Sequence, residues 1–239
     1  MIYYTSYSMN KMILIIPIFN GEKYIHDTCK ELESFFLASD CIESVIFVND
    51  GSIDGTREVL ESIKQTYSFP HTVFSYEKNR GKGYAVAHAV AQINGDYVGF
   101  TDIELPYGLQ HISEGLSKLA SYDMVVGSRE IGAQRSGYRR CMSKIFRLFL
   151  PRGVRKINDT QCGLKFFRID VARVLFSHIK TYRWVFDIEL FLLAEKKKYH
   201  VCTLPVVIKE ECITPKGGVS LLRDGVRILS DLLRVRMYY

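Results

Sequence analysis

SVIFVNDGSIDGT, Ser44 to Thr56, is the stretch whose reading decides the fold. Val45–Val48 is a short apolar run of β-branched and aromatic residues, the composition of a strand buried on both faces. The run stops on Asn49 and Asp50, and Gly51-Ser52-Ile53-Asp54-Gly55-Thr56 supplies the small and polar residues of a tight turn. Asp54 then has the chemistry of an N-cap for a helix over 54–66. A buried strand running through a polar turn into a helix is half of a βαβ unit.

The same grammar repeats outward. Strands are predicted at 12–17 (MILIIP), 44–49, 72–76, 97–101 and 123–127, and helices at about 22–38, 54–66, 82–93 and 109–120. This alternation predicts an α/β fold with a mostly parallel central sheet and helices on both faces. Such sheets bind ligands beyond the carboxyl ends of their strands. Asn20, Asp50 and Asp102 all fall just past strand ends, so a polar crevice is expected along one sheet edge. With no internal repeat and no low-complexity linker, 11–239 reads as one domain after a loose extension at 1–10. Residues 11–128 and 129–239 form its two halves.

Composition bounds the function. The 239 residues carry a formal net charge of +6, are 47% hydrophobic and 24% charged, and contain no run long enough to span a bilayer. The charge is divided. Up to Ser128 there are 9 Lys+Arg against 16 Asp+Glu (−7), and from Arg129 onward 23 against 10 (+13), which sum to +6. A basic half meets phosphorylated ligands, anionic lipid or nucleic acid; no nucleic-acid-binding signature is present, so nucleic acid is not expected as a partner. Six cysteines without CxxC spacing read as free thiols of a reducing cytoplasm. On a helical wheel Arg139, Arg140, Lys144 and Arg147 of 138–150 share about 140° of arc, opposite Met142, Ile145, Phe146 and Phe149. Arg223, Arg227 and Arg234 of 219–236 fall within about 40°. Both are core-packing helices with solvated basic faces, or a peripheral contact with a membrane surface.

Asp102 and Glu104 follow the strand DYVGF. If the chain stayed extended, they would point to one side and repel, requiring a cation or water. Pro106 suits the first turn of the next helix.

Together PIFNGEKYI (17–25), VNDGSIDGT (48–56), NRGKGYAVAHA (79–89), TDIE (101–104), GSR (127–129), DTQCGLKFFR (159–168) and WVFDIE (184–189) resemble the family 2 glycosyltransferases of GT-A fold. More narrowly, they resemble the branch that glucosylates or mannosylates polyprenyl (dolichyl) phosphates. The resemblance implies that Pro17, Phe19, Glu22, Asp50, Asn79, Gly81, Lys82 and Asp102 contact the donor nucleotide. It implies a Mg²⁺ or Mn²⁺ ion on Asp102, Glu104 and Gln161, with Glu104 departing from the family's second Asp. Arg129, Arg139 and Ser143 would hold the acceptor phosphate, Asp187 would support catalysis, and Asp159 would bond local backbone. The implied activity is inverting transfer of a hexose from UDP-glucose or GDP-mannose to a polyprenyl phosphate at the cytoplasmic membrane face.

Two rivals stay open. In one the acceptor is a saccharide hydroxyl, as in capsule or lipopolysaccharide synthesis, with Asp187 or Glu189 as base; in the other the protein binds without transferring. Trp184 reads as core or as a sugar-stacking ring.

Overall fold

The computed structural model describes residues 11–129, 159, 161–212 and 221–238. Seven strands, β1 Met12–Ile18, β2 Ile42–Asp50, β3 His71–Tyr76, β4 Tyr97–Phe100, β5 Met124–Arg129, β6 Lys165–Arg168 and β7 Val201–Val206, form one sheet in the order β3-β2-β1-β4-β6-β5-β7. β6 runs antiparallel to both its neighbours, and the other pairs are parallel. The mostly parallel sheet is therefore as expected, but β6 and β7 lie outside the strands read from sequence.

Period-two alternation sorts the strand side chains onto two cores. Met12, Leu14, Ile16, Val45 and Phe47 pack with α1 (Glu22–Ala38), α2 (Thr56–Thr66) and α4 (His111–Lys118). Ile13, Ile15, Ile46 and Val48 face the opposite layer of α3 (Lys82–Val90), α5 (Ile169–His178), α6 (Phe186–Lys196) and the end of α7 (Leu221–Tyr238). Helices thus cover both faces.

β6 is seated by glycine. A Cβ on Gly99 of β4 would lie 2.7 Å from the Phe166 ring, and one on Gly115 of α4 2.4 Å from it, so the buried Phe166 fills the gap those residues leave. Helix α6 is buried from Phe186 to Ala194. Its two acids, Asp187 and Glu189, therefore need partners inside the protein.

Two local expectations change. Helix α2 begins at Thr56 with Gly55 at the N-cap position, so Asp54 sits one residue too early to be the cap. Asp54 instead accepts from the Thr56 amide and hydroxyl and from the Glu22 amide. Helix α4 begins at His111, so Pro106 lies in the preceding turn rather than at a helix start. The segment 138–150, with Arg139 and Ser143, lies outside the described residues.

Candidate active site

Because β2, β1 and β4 are adjacent, the turns after them meet at one sheet edge. The first two are laced together. Asn20 donates its amide to Ser52 Oγ and accepts from the Ile53 amide, Gly21 donates to Thr56 Oγ1, and Gly55 donates to Glu22 Oε2. Phe19 projects from this lattice half-exposed, and Pro17 is partly exposed at the end of β1.

Asp50, the last residue of β2, organises the turn after β3. Its Oδ1 accepts from Tyr76 Oη and the Arg80 amide, and its Oδ2 from Asn79 Nδ2 and the Gly81 amide, at 2.8–2.9 Å. All four acceptor positions of the carboxylate are thereby taken. Asp50 fixes the shape of 79–81, and a nucleobase N–H would have to displace one of these donors. Gly81 has φ +101, and a Cβ there would lie 2.5 Å from the Tyr182 carbonyl oxygen. Asn79 Oδ1 in turn accepts from Arg183, which ties the loop before α6 to the same turn.

The carboxylates after β4 answer the question their spacing raised. The chain does not stay extended: the Leu105 amide bonds the Asp102 carbonyl, and buried Leu105 has a positive φ of +45. Such a backbone is strained for a residue with a Cβ. The cation beside Asp102 is Lys82, whose Nζ lies 2.5 Å from Oδ1. Burial alone would lower the Lys82 pKa, but the carboxylates of Asp102 and Asp187 outweigh it and raise it. Glu104 reaches the surface, yet desolvation, reinforced by the charge of Asp102, holds its carboxyl above the ordinary range.

Residues 161–165 border the site. A Cβ on Gly163 would lie 2.1 Å from Asp102 Oδ2 and 3.2 Å from Lys82 Nζ. The cradle around Asp102 therefore exists because residue 163 is glycine. The Gly163 amide donates to Tyr107 Oη. Fully buried Lys165 bridges the Cys162 carbonyl at 2.6 Å and Asp187 Oδ1 at 2.7 Å. Sequence reading missed Lys165, which looked like any lysine beside aromatics. Asp187 is thus held in a buried ion pair with Lys165.

Three further expectations resolve. Glu189, wholly buried, accepts from the Lys180 and Thr181 amides and the Thr181 hydroxyl, so both of its oxygens hold the 180–181 turn. Arg129 forks onto Asp159 through Nε at 2.5 Å and Nη2 at 2.8 Å, so two of its five N–H groups are committed to that carboxylate. Asp159 also accepts the Arg129 and Gln161 amides, as its structural role required. Gln161 itself is exposed, and Trp184 is 47% exposed rather than core.

Whether a divalent ion fits is decided by the donors. Among the described residues no cluster of three or more His, Cys, Asp or Glu forms a metal cage. Asp102 and Glu104 are hard oxygen donors, close enough that the charge of Asp102 raises the pKa of Glu104. Such a pair suits Mg²⁺ or Mn²⁺ bound jointly with phosphate oxygens rather than in an all-protein cage.

A doubly covered sheet with one antiparallel strand, and carboxylates and lysines gathered beyond its strand ends, defines a GT-A type of nucleotide-sugar transferase architecture. The chain belongs to glycosyl transferase family 2, whose model matches residues 13–179. It is 29% identical over 218 residues to the dolichyl-phosphate β-glucosyltransferase of Saccharomyces cerevisiae, covering 82% of this chain and 64% of that protein. It is 30% identical over 256 residues to the human dolichyl-phosphate β-glucosyltransferase, covering 96% of this chain and 76% of that one. The chain thus spans about two thirds to three quarters of these relatives. Among solved structures, glucosyl-3-phosphoglycerate synthase from Mycobacterium tuberculosis, crystallised with Mn²⁺, UDP and glucosyl-3-phosphoglycerate, has a TM-score of 0.67 at 15% identity. That likeness covers 95% of this chain and 80% of the other, and it is one of fold.

Proposed function

We propose that this protein transfers one hexose from a nucleoside-diphosphate sugar to a polyprenyl phosphate of the dolichyl type, with inversion, at the cytoplasmic face of a membrane. UDP-glucose is the favoured donor over GDP-mannose, because the relatives named above are glucosyltransferases and the fold neighbour was crystallised with UDP.

One observation carries the choice of acceptor. The carboxylates that could serve a hydroxyl acceptor as base are committed elsewhere: Glu189 to the 180–181 turn, and Asp187 to Lys165. A sugar hydroxyl must lose a proton as it attacks. A phosphate monoester is already anionic at neutral pH, since its second pKa is near ~6. Its oxygen attacks C1 of the sugar, the bond from C1 to the diphosphate breaks, and the nucleoside diphosphate leaves with the electron pair. No proton changes hands.

The chain's own residues then divide the work. The Asp50 clamp fixes the 79–81 turn and so sets where Lys82, at the start of α3, would meet the donor's phosphates. Lys82 adds a mobile positive charge, held by Asp102 and also attracted by the charge of Asp187. Arg129, anchored on Asp159, stands at the end of β5, where the basic half begins and the acceptor phosphate would enter with Arg139 and Ser143. Asp102 and Glu104 would hold a Mg²⁺ or Mn²⁺ ion, which supplies positive charge to the departing diphosphate.

The test is incubation of the purified protein with radiolabelled UDP-glucose or GDP-mannose and dolichyl or undecaprenyl phosphate, with Mn²⁺ or with EDTA. An organic-extractable, mild-acid-labile product is expected. Label passing only to a water-soluble saccharide would overturn the acceptor assignment.

A further inference from the structure

Lys82 stands where the proposed chemistry wants a metal ion. Its Nζ is 2.5 Å from Asp102 Oδ1, with the two side chains 28% and 37% exposed. On its inner side lies Asp187, already paired with Lys165, whose side chain is fully buried. The remaining groups facing the ammonium are the Glu104 carboxylate, which feels the charge of Lys82, the Cys162 thiol and the Phe100 ring, 5.3 Å from Nζ to its centroid. Asp102 and Asp187 are thus each neutralised by an ammonium group, Lys82 and Lys165. A divalent ion arriving alone at Asp102 meets a carboxylate already satisfied and a like charge beside it. Repulsion between a divalent ion and an ammonium at ~4 Å, even in a water-like medium, weakens binding on the order of tenfold or more.

A nucleoside diphosphate changes that balance. It brings negative charge that both cations can share, and Lys82 has a flexible stem at the first position of α3, whose N-terminus faces the same ligand. We propose that Lys82 is the resident counter-ion of Asp102 in the donor-free protein and releases this carboxylate only when nucleotide and divalent ion arrive together. This rests on the metal-assisted reading above. Metal alone then binds weakly, nucleotide alone binds weakly, and each tightens the other by the same factor, as linkage requires. The arrangement keeps the site from trapping free divalent ions and readies it for the intact donor.

The experiment titrates Mn²⁺ into the full chain and follows the electron paramagnetic resonance signal of free Mn²⁺, with and without UDP. It compares wild type, Lys82→Met and Lys82→Arg, with circular dichroism as the fold control. In wild type, UDP is expected to tighten Mn²⁺ at least about tenfold. Lys82→Met should bind Mn²⁺ alone about tenfold tighter than wild type and lose most of the coupling, and Lys82→Arg should resemble wild type. Equal nucleotide-free affinities in wild type and Lys82→Met, with UDP-dependent Mn²⁺ uptake intact, would overturn the role of Lys82 and leave the catalytic reading standing. Absence of Mn²⁺ uptake even with UDP, together with EDTA-insensitive turnover, would overturn both. If Lys82→Met does not fold, the wild-type arm decides alone: Mn²⁺ and UDP that bind independently of each other overturn the proposal.

Discussion

Single atoms decide the reacting edge. Gly163 is the sharpest case, because its φ lies outside the left-handed region and the nearest atoms a side chain would meet there belong to Asp102 and Lys82. Gly163→Ala is therefore expected to leave the fold intact, with a thermal midpoint within a few degrees, while displacing the Asp102 carboxylate. A ~1 Å misplacement of a reacting group lowers rate by about a hundredfold, so kcat/KM should fall by that order. Lys165 is the opposite case. Removing one partner of a buried ion pair strands the other, at a cost of about 3–5 kcal/mol. Lys165→Met should show that loss in urea unfolding. Asp187→Asn keeps an oxygen for Lys165 but loses the charge. It should retain measurable turnover if the acceptor is a phosphate and abolish it if the acceptor is a hydroxyl needing a base.

At the scale of elements, turns are set by clamps that join distant segments. Asp50 holds 79–81, Glu189 holds 180–181 and Asp159 holds Arg129. In Asp159, burial alone would raise the pKa, but hydrogen bonds and charge from Arg129 outweigh it and hold the carboxyl below its ordinary 3.8. A depressed carboxylate contributes stability that is complete above the unfolded pKa and lost as pH falls through the folded one. The pair should therefore hold Asp159 to the end of β5 at neutral pH and let go as pH falls below the ordinary carboxylate range. Asp159→Asn should flatten the acid limb of a stability-versus-pH curve below about pH 4; an unchanged limb would deny the clamp its role. These clamps also mark where sequence reading stops. Strands β1 to β5 were legible because each is a bounded apolar run. β6 was not: KFFR is four residues long, carries a lysine, and is a strand only because β4 and β5 flank it. Lys165 and Asp187 lie 22 residues apart and look solvated until the fold pairs them. The motif residues were found, but their partners were not, since pairing over such separations leaves no local pattern.

At the scale of the whole molecule, charge and chemistry point the same way. The acidic half up to Ser128 carries the donor-side turns, and the half from Arg129 onward holds 23 Lys+Arg against 10 Asp+Glu. No helix among the described residues is long and apolar enough to cross a membrane. The end of α7 nevertheless leaves Leu233, Met237 and Tyr238 exposed beside Arg234, apolar and basic groups on one element. A polyprenyl phosphate presents its anion at a bilayer surface, so an enzyme acting on it gains from the attraction that concentrates it there. Each Lys or Arg near an anionic leaflet contributes about 1 kcal/mol, so four acting together would shift partitioning by about three decades. Exposed charges are screened beyond about 10 Å at 0.1 M salt. The protein is accordingly expected to co-sediment with phosphatidylglycerol vesicles at low salt, to be released by high salt, and to ignore phosphatidylcholine vesicles. Replacing Arg139, Arg140, Lys144 and Arg147 together by alanine should weaken that partitioning about a hundredfold or more. Equal binding to both vesicle types, or to neither, would mean that the basic half serves the acceptor phosphate alone and that the membrane is reached by another route.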